Sequence, residues 1–119
     1  MSIALIFTKN NPIPWRDQLQ KKLPVETIGI HPDVTDKDAV RFALCWKPEP
    51  GVLKEYKNLE VVQSLGAGVD HILNTQTLKG IRITRVVDTN LSHDMWEYLL
   101  GAVLYTIKNF PEYLIIVVD

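Results

Sequence analysis

Two glycines near the middle of the chain, in Gly66-Ala67-Gly68-Val69, are the residues best suited to chemistry. An apolar run that predicts a strand comes before them, and a stretch that predicts a short helix follows. Glycine lets a backbone approach a ligand closely, and N–H groups at the start of a helix attract anions. The pattern therefore predicts a site for a small carboxylate on the amides of Ala67, Gly68 and Val69. A tight turn that binds nothing also explains these residues.

The same turn matches the first two glycines of the dinucleotide-binding loop Gly-x-Gly-x-x-Gly, but the rest of the match is poor. That loop needs a third glycine, and His71 stands at its place. It also follows the first strand of its fold, with an acidic residue at the end of the next strand. Here the turn follows the fourth predicted strand, and neither Arg85 nor Asp88 suits the later role. A nucleotide pyrophosphate is not the expected ligand.

The three histidines do not form a catalytic or metal-binding set. His71 lies beside the glycines and could act in proton transfer, although a ring that hydrogen-bonds locally is the simpler interpretation. His31 and His93 are expected to be structural or solvated. Asp70 falls in a first helical turn, where a carboxylate interacts favourably with the helix dipole. The sequence therefore predicts no catalytic residue and no metal ligand.

Three other side chains each have two interpretations. Trp46 stands at the end of an apolar run, as core packing or as a wall of a cleft. Lys47 and Arg85 could attract an anionic substrate or simply be solvated. Cys45, the single cysteine, lies within the apolar run and is expected to be an inert buried thiol.

Composition indicates one globular domain of ordinary character. The chain has 119 residues, 46% hydrophobic residues, and a formal net charge of −1. Nucleic-acid-binding domains usually carry an excess of Lys and Arg, and this balance of charges does not predict such a surface. No apolar run approaches the roughly 20 residues that span a bilayer. The first residues have no basic region and no cleavage site, so we do not expect a secretory signal. A lone cysteine fits a reducing cytoplasm, and the length leaves no room for separate cofactor and substrate domains.

Short apolar runs alternate with helix-compatible stretches, which predicts an α/β fold with a flavodoxin-like, doubly wound parallel sheet of about five strands. Thr8-Lys9-Asn10-Asn11 after the first strand lacks the acidic metal ligands of a receiver domain, so that fold relative is disfavoured. The predicted strands are residues 3–7, 25–30, 42–46, 59–65 and 81–87, and the predicted helical segments are residues 15–23, 33–40, 52–56 and 69–73.

A long helix is predicted over residues 92–109, with Ser92 as its N-cap. Its apolar stripe is broader than that of an ordinary surface helix. Either it packs in the core of this domain or it packs on a second subunit. The apolar tail, residues 113–119, has the composition of a buried strand, and we expect it to be paired. The stripe consists of Trp96, Leu99, Leu100, Val103, Leu104 and Ile107.

The segment Leu59-Glu60-Val61-Val62-Gln63-Ser64-Leu65-Gly66-Ala67-Gly68-Val69-Asp70-His71-Ile72 resembles the substrate-domain signature of the D-isomer-specific 2-hydroxyacid dehydrogenases. It is most similar to their glyoxylate/hydroxypyruvate reductase branch. Phe42-Ala43-Leu44-Cys45-Trp46-Lys47-Pro48, Arg85-Val86-Val87-Asp88-Thr89 and Met95-Trp96-Glu97-Tyr98-Leu99-Leu100 extend the resemblance over most of residues 1–112.

The resemblance implies a function for the glycine turn and its neighbours. Gly66, Ala67, Gly68 and Val69 would hold the carboxylate of a small 2-oxo or 2-hydroxy acid. Trp46 and Lys47 would border the cleft. Residues 1–90 would be the substrate domain, and residues 91–119 the start of an NAD(P)-binding domain whose helix, residues 92–109, forms a homodimer contact.

The resemblance also implies what the chain lacks. In the family, the cofactor loop, a substrate-binding Arg and a Glu–His pair for proton transfer all follow the dimer helix. This chain ends before them, so we expect a truncated product or a fragment that binds no NAD(P) by itself and is inactive alone. The alternative is a non-catalytic homodimeric interaction module.

Overall fold

The computed structural model describes residues 1–116, and side chains as far as Leu114. Five strands form one sheet in the order β2-β1-β3-β4-β5, and every pairing between neighbours is parallel. The strands are β1 (Ser2–Phe7), β2 (Thr27–Ile30), β3 (Val40–Trp46), β4 (Val61–Ser64) and β5 (Arg82–Thr84). The helices are α1 (Ile13–Lys22), a 3-10 turn (Val52–Glu55), α2 (Asp70–Leu73), α3 (Thr89–Ile107) and α4 (Phe110–Ile116).

This strand order is the flavodoxin-like one, and it confirms the predicted α/β fold. The central strands β1 and β3 carry almost continuous apolar runs, as strands covered on both faces do. Their register aligns Ala4 with Ala43 and Ile6 with Cys45. Parallel strands end at the same edge of the sheet, so the segments after β3, β4 and β5 come together there.

Alternate side chains of the strands form two apolar clusters, one on each face of the sheet. The first cluster packs under the 3-10 turn and α2, and the second packs partly against Leu19 of α1. Burial of each large aliphatic side chain contributes about 1.5–3 kcal/mol. The first cluster includes Ala4, Ile6, Ala43, Cys45, Val62, Tyr56 and Ile72, and the second includes Ile3, Leu5, Ile28 and Leu44.

Residues 33–40 form turns, so the helix predicted there is wrong. The Asp36 carboxylate accepts hydrogen bonds from the N–H groups of Asp38 (3.0 Å) and Ala39 (3.2 Å), as an N-cap does. The fully buried Val40 then begins β3. Asp36 can cap a helix, as the sequence suggests. Because β3 already begins at Val40, only a single turn fits between these two residues.

The long helix α3 begins three residues before the predicted N-cap Ser92. Asp88 is extended (φ −134°, ψ 114°), and its carboxylate accepts from the N–H of Asn90 at 2.9 Å. Asp88 is therefore the N-cap, because its backbone leaves the helical region while its side chain satisfies an orphan amide. Ser92 lies within the helix.

The apolar tail continues as a helix as far as it is described, so the strand predicted over residues 113–119 is wrong for residues 113–116. Asn109 adopts a left-handed conformation (φ 52°), which ends α3, and Pro111 then occupies the first turn of α4. Proline fits there because its missing N–H would have had no helical partner. Residues 117–119 of the predicted strand lie outside the described residues.

The chain folds as two compact units, and the boundary between them follows Val86. The unit Met1–Val86 contains the whole sheet, α1, the 3-10 turn and α2. The unit that starts at Val87 contains α3 and α4, where the rings of Tyr105 and Phe110 pack edge to face with centroids 5.8 Å apart. Among the helices that are described, none combines the length and the apolar character needed to cross a membrane.

Candidate functional site

The glycine turn lies at the carboxyl edge of the sheet, between segments from two neighbouring strands. Gly66 and Ala67 follow β4 after one residue, with Lys47 after β3 on one side and Arg85 after β5 on the other. Arg85 Nη1 donates a hydrogen bond to the Ala67 carbonyl at 3.3 Å. The Val86 N–H donates to the Gly66 carbonyl at 3.1 Å. The sheet order thus brings together residues that lie far apart in the sequence.

Ser64 at the end of β4 shapes the turn from beneath, although the sequence did not single it out. Its side chain is fully buried, and its hydroxyl donates to the Gly68 carbonyl at 2.7 Å. The same oxygen accepts from the Gly66 N–H at 3.2 Å. One hydroxyl therefore ties both ends of the Gly66–Gly68 segment. The signal available in the sequence was a serine at the end of an apolar run, two positions after Val62 and so on the same face of the strand.

Three backbone amides of the turn are not used by the fold of residues 1–116. Within the described part of the chain, the N–H groups of Ala67, Gly68 and Val69 have no protein acceptor. Ala67 and Gly68 are exposed, and Val69 and Gly66 are partly exposed. Successive backbone N–H groups that are free of protein partners are a common element of anion-binding sites. The four predicted residues are consecutive in the chain, and their role as a binding site remains a prediction.

Trp46 covers the first glycine of the turn. A Cβ atom at Gly66 would lie 2.9 Å from Trp46 Cζ3, a distance that requires something to move. The Trp46 ring also packs against the His71 ring, with centroids 5.1 Å apart and planes inclined by 60°. Trp46 therefore packs on His71 and on the turn, and its role as the wall of a cleft remains a prediction. Because the Trp46 ring leaves no room for a Cβ atom at residue 66, glycine is needed there.

Lys47 has a left-handed backbone (φ 47°), which is uncommon for any residue other than glycine. Its carbonyl accepts a hydrogen bond from the Thr8 hydroxyl, and the Thr8 N–H donates to the Trp46 carbonyl at 3.4 Å. The loop after β1 thus holds this conformation in place. Strained backbone of this kind clusters at binding and active sites.

The cationic side chains of Lys47 and Arg85 lie near the turn. Lys47 Nζ lies 5.7 Å from the centroid of the Trp46 ring, and Arg85 reaches the Ala67 carbonyl. In residues 1–116 neither of them takes part in an ion pair. Asp70, exposed at the start of α2, supplies the opposing charge. The local balance of two cations against one acid favours an anionic ligand.

Burial shifts the pKa values of His71 and Cys45, two groups near the turn. Desolvation lowers the pKa of His71, an effect that Lys47 adds to and that the Cys45 backbone and Asp70 oppose. Desolvation raises the pKa of Cys45 to about 12. The imidazole is therefore uncharged at neutral pH, and the thiol stays protonated and unreactive. The local hydrogen bond expected for His71 is missing for Nε2, which is buried without a partner among the described residues.

His31 lies apart from the turn, at the end of β2. Its Nδ1 is 2.7 Å from the hydroxyl of Tyr56, which is almost fully buried. Burial raises the pKa of Tyr56 to about 12 and lowers the pKa of His31. Tyr56 therefore keeps its proton, and the pair joins the 3-10 turn to the sheet. This structural role agrees with the sequence expectation for His31.

These shifts predict that the chain loses stability in mild acid. The pKa values of His31 and His71 are lowered on folding, so between the folded values and 6.5 the unfolded chain binds more protons. The free energy of unfolding is then at its full value above pH 6.5 and falls as the pH drops through the folded values. We expect urea midpoints to decrease from pH 7.5 to pH 5.5, above the range in which carboxylates titrate.

A double variant, His31→Gln with His71→Phe, is the control for this pH dependence. It removes both imidazoles, so its urea midpoint should change less over the same pH interval. An equal change in the parent and the variant would contradict the assignment.

The turn does not fit a dinucleotide. Its third-glycine position is filled by the His71 side chain, which packs on Trp46, and α2 is a single turn of four residues. No step of a reaction is therefore assigned here to a bound NAD(P). One cluster in the described residues offers three metal-ligand types: His93, Asp94 and Glu97, all exposed on α3. The ordinary i,i+4 contact between His93 Nδ1 and Glu97 Oε1, 3.6 Å, accounts for it.

The chain is similar to known dehydrogenases. No protein-family model matches the chain. Glyoxylate/hydroxypyruvate reductase A of Serratia proteamaculans is 33% identical over 95% of this chain and 38% of its own length. A crystal structure of a D-isomer specific 2-hydroxyacid dehydrogenase from Xanthobacter autotrophicus, in complex with NADPH and MES, matches with TM-score 0.77 and 30% identity over 94% of this chain and 37% of that one.

The chain is a homologue of part of a D-isomer specific 2-hydroxyacid dehydrogenase. An NADPH-dependent glyoxylate/hydroxypyruvate reductase from Sinorhizobium meliloti, in complex with NADP and sulfate, also matches, with TM-score 0.74 and 25% identity over 98% of this chain and 38% of that one. The dehydrogenase resemblance seen in the sequence is thereby confirmed. The chain spans about two fifths of the length of these relatives.

Proposed function

We propose that the chain binds the carboxylate of a small 2-oxo or 2-hydroxy acid, such as glyoxylate or hydroxypyruvate, at the turn Gly66 to Val69. The observation that carries the proposal is the set of three consecutive amides, Ala67, Gly68 and Val69, without a protein acceptor in the described residues. Hydrogen bonds from backbone N–H groups to an ionised carboxylate are stronger than neutral ones. Trp46 and Lys47 form the neighbouring wall.

The positive charges favour the same ligand. Lys47 and Arg85 flank the turn, and an anion seated on its amides would lie between two cations that have no acid of their own in residues 1–116. Exposed cations contribute modestly to affinity and more to the rate of association. The amides therefore supply the specificity of the proposed site, and the cations steer the acid toward it.

The proposed reaction of the whole protein is the NAD(P)H-dependent reduction of a 2-oxo acid. The dehydrogenase relatives support this, and so does the carboxylate site. The nicotinamide would supply the hydride, and none of residues 1–116 is assigned to hold it. In this proposal, residues 1–90 are the substrate domain, residues 91–119 begin the cofactor domain, and the 119 residues alone bind the acid without reducing it. A cytoplasmic location, expected from the single cysteine, is part of the same proposal.

Titration calorimetry with glyoxylate tests the carboxylate site. We expect Arg85→Gln to weaken binding about threefold to tenfold, because it removes a cation held beside Ala67. Arg82→Gln is the matched control: it removes an exposed arginine three residues earlier, within β5, and should leave the affinity unchanged. Glycolaldehyde, which has no carboxylate, should not bind. Equal losses in the two arginine variants would contradict a site at the turn.

A spectrophotometric assay tests the proposed inactivity. The purified 119-residue chain, mixed with NADPH or NADH and glyoxylate, should not oxidise the cofactor above the background rate, because the turn does not fit a dinucleotide. Turnover that follows the concentration of the chain, and that disappears in the Gly66→Val variant, would overturn this part of the proposal.

A second candidate function is a homodimeric interaction module formed through residues 92–109. The apolar stripe of α3 supports it, because large side chains such as Trp96 (71% exposed) and Leu100 (52% exposed) lie on the surface. Light scattering after size-exclusion chromatography should give the mass of a dimer at micromolar concentration.

Two substitutions on α3 locate the dimer contact. Leu100→Glu places a charge within the stripe and should give a monomer. Tyr98→Glu is the control, because it changes a more exposed residue on the opposite side of the helix and should leave the dimer intact. A monomeric parent chain would exclude this function.

A further inference from the structure

His71 makes an aromatic contact with Trp46, and one of its ring nitrogens has no hydrogen-bond partner within residues 1–116. Its ring centroid lies 5.1 Å from that of Trp46, with the planes inclined by 60°. Its Nε2 atom is buried and has no hydrogen-bond partner among the described residues. A buried nitrogen without a partner is costly, so hydrogen bonding at that atom does not explain why the ring sits there. The contact with Trp46 does, since tilted aromatic pairs at this separation are favourable.

Trp46, which contacts His71, also contacts the glycine turn. Its Cζ3 atom lies so close to Gly66 that a Cβ atom there would be only 2.9 Å away. The Lys47 ammonium lies 5.7 Å from the centroid of the same ring. The indole is therefore held by the end of β3, by the turn and by the start of α2. Among these, His71 is the side chain that joins α2 to the ring.

We propose that His71 is a positioning residue that holds the Trp46 indole against Gly66 and so fixes the wall beside the amides of Ala67 and Gly68. The inference rests on the proposed carboxylate site. It assigns no proton transfer to His71, because the ring acts through Trp46 and not on a substrate.

The charged groups around His71 agree with this role. Burial lowers the pKa of His71, and Lys47, directly after β3, lowers it further. The hydrogen bond to the Cys45 backbone and the charge of Asp70 raise it, but the net direction is downward. An uncharged imidazole packs on the indole next to the lysine without repulsion. Protonation would put a charge against the indole, and imidazolium quenches indole fluorescence, so the contact has a spectroscopic signature.

Fluorescence of a chain whose only tryptophan is Trp46 tests the proposal. Trp15→Phe with Trp96→Phe gives this background, since the chain has three tryptophans and these two are exposed. In it, His71→Ala should raise the acrylamide quenching constant of Trp46 by about twofold or more, because the indole loses its aromatic neighbour. His71→Phe should keep the parent value, because a phenyl ring restores the packing.

A pH titration supplies a readout that general loosening of the fold would not give. Between pH 8 and pH 5.5, the emission of the parent should fall in a transition below pH 6.5. His71→Phe should abolish that transition, and His31→Gln should preserve it, because His31 contacts Tyr56 and not Trp46. Urea midpoints of all variants establish that they are folded, and His71→Leu replaces His71→Ala if the alanine variant unfolds.

The result that would overturn the proposal is unchanged accessibility of Trp46 in His71→Ala or His71→Leu, or a transition that persists in His71→Phe. Glyoxylate binding is measured separately on the same proteins. If the parent binds no glyoxylate while the fluorescence results hold, the carboxylate site fails and the contact stands. If glyoxylate binds normally in every His71 variant and Trp46 is equally protected, the positioning role fails and the site stands.

Discussion

Replacement of Ser64 by alanine should destabilise the unit Met1–Val86 by about 2 kcal/mol, because it leaves two backbone groups without their buried partner. The lost hydrogen bonds are those from the hydroxyl to the Gly68 carbonyl (2.7 Å) and from the Gly66 N–H to the hydroxyl (3.2 Å). Chemical denaturation measures the change in the free energy of unfolding. The same substitution should weaken glyoxylate binding about tenfold or more, since about 1.4 kcal/mol of lost amide alignment has that effect.

Ser92→Ala is the control for this loss of a serine hydroxyl. Ser92 is exposed within α3 and forms no side-chain hydrogen bond in the described part of the chain, so its replacement should change stability by less than about 0.5 kcal/mol. If Ser64→Ala were as mild as Ser92→Ala, the turn would not depend on the buried hydroxyl.

A Cβ atom at Gly66 should cost about 1–3 kcal/mol, the usual range for overpacking a filled site. In Gly66→Ala the new atom would meet Trp46 Cζ3 at 2.9 Å, so either the indole or the turn must shift. Both shifts disturb the proposed carboxylate site, and we expect glyoxylate affinity to fall together with stability. Denaturation and calorimetry on the same protein measure the two effects.

Gly68→Ala separates this packing effect from the general cost of replacing a glycine. No atom lies within 4 Å of a Cβ at Gly68, so its free energy of unfolding should stay the same or rise slightly. In Gly66→Ala with Trp46→Leu the smaller side chain removes the clash, so the two substitutions should be less than additive. Full additivity would mean that Trp46 does not constrain Gly66.

The sheet was predictable because its apolar runs are long and uninterrupted. β1 and β3 lie within one residue or two of their predicted bounds, since burial on both faces demands continuous apolar sequence. Residues 33–40 were misjudged because local cap chemistry at Asp36 competes with entry of Val40 into the sheet. The start of α3 was misplaced because Asp88 and Ser92 are both good N-caps, and sequence alone does not choose between them.

The site was predictable only in part. Gly66 and Gly68 predict a turn that a ligand can approach, and they follow β4 as expected. The contacts that shape the turn are tertiary: Arg85 reaches Ala67 because β4 and β5 are neighbours, and His71 reaches Trp46 because β3 is the neighbour on the other side. The left-handed backbone of Lys47 could not be inferred, since the residue before a proline ordinarily favours extended conformations.

Titration of the 119-residue chain with glyoxylate, followed by amide nuclear magnetic resonance, tests the carboxylate site most directly. We expect saturable shifts of the N–H signals of Ala67, Gly68 and Val69. The Gly66 N–H, already bonded to Ser64 Oγ, should move less. The shifts should be absent with glycolaldehyde and reduced in Ser64→Ala. Saturation at other residues, with these three amides unmoved, would contradict a carboxylate site at the glycine turn.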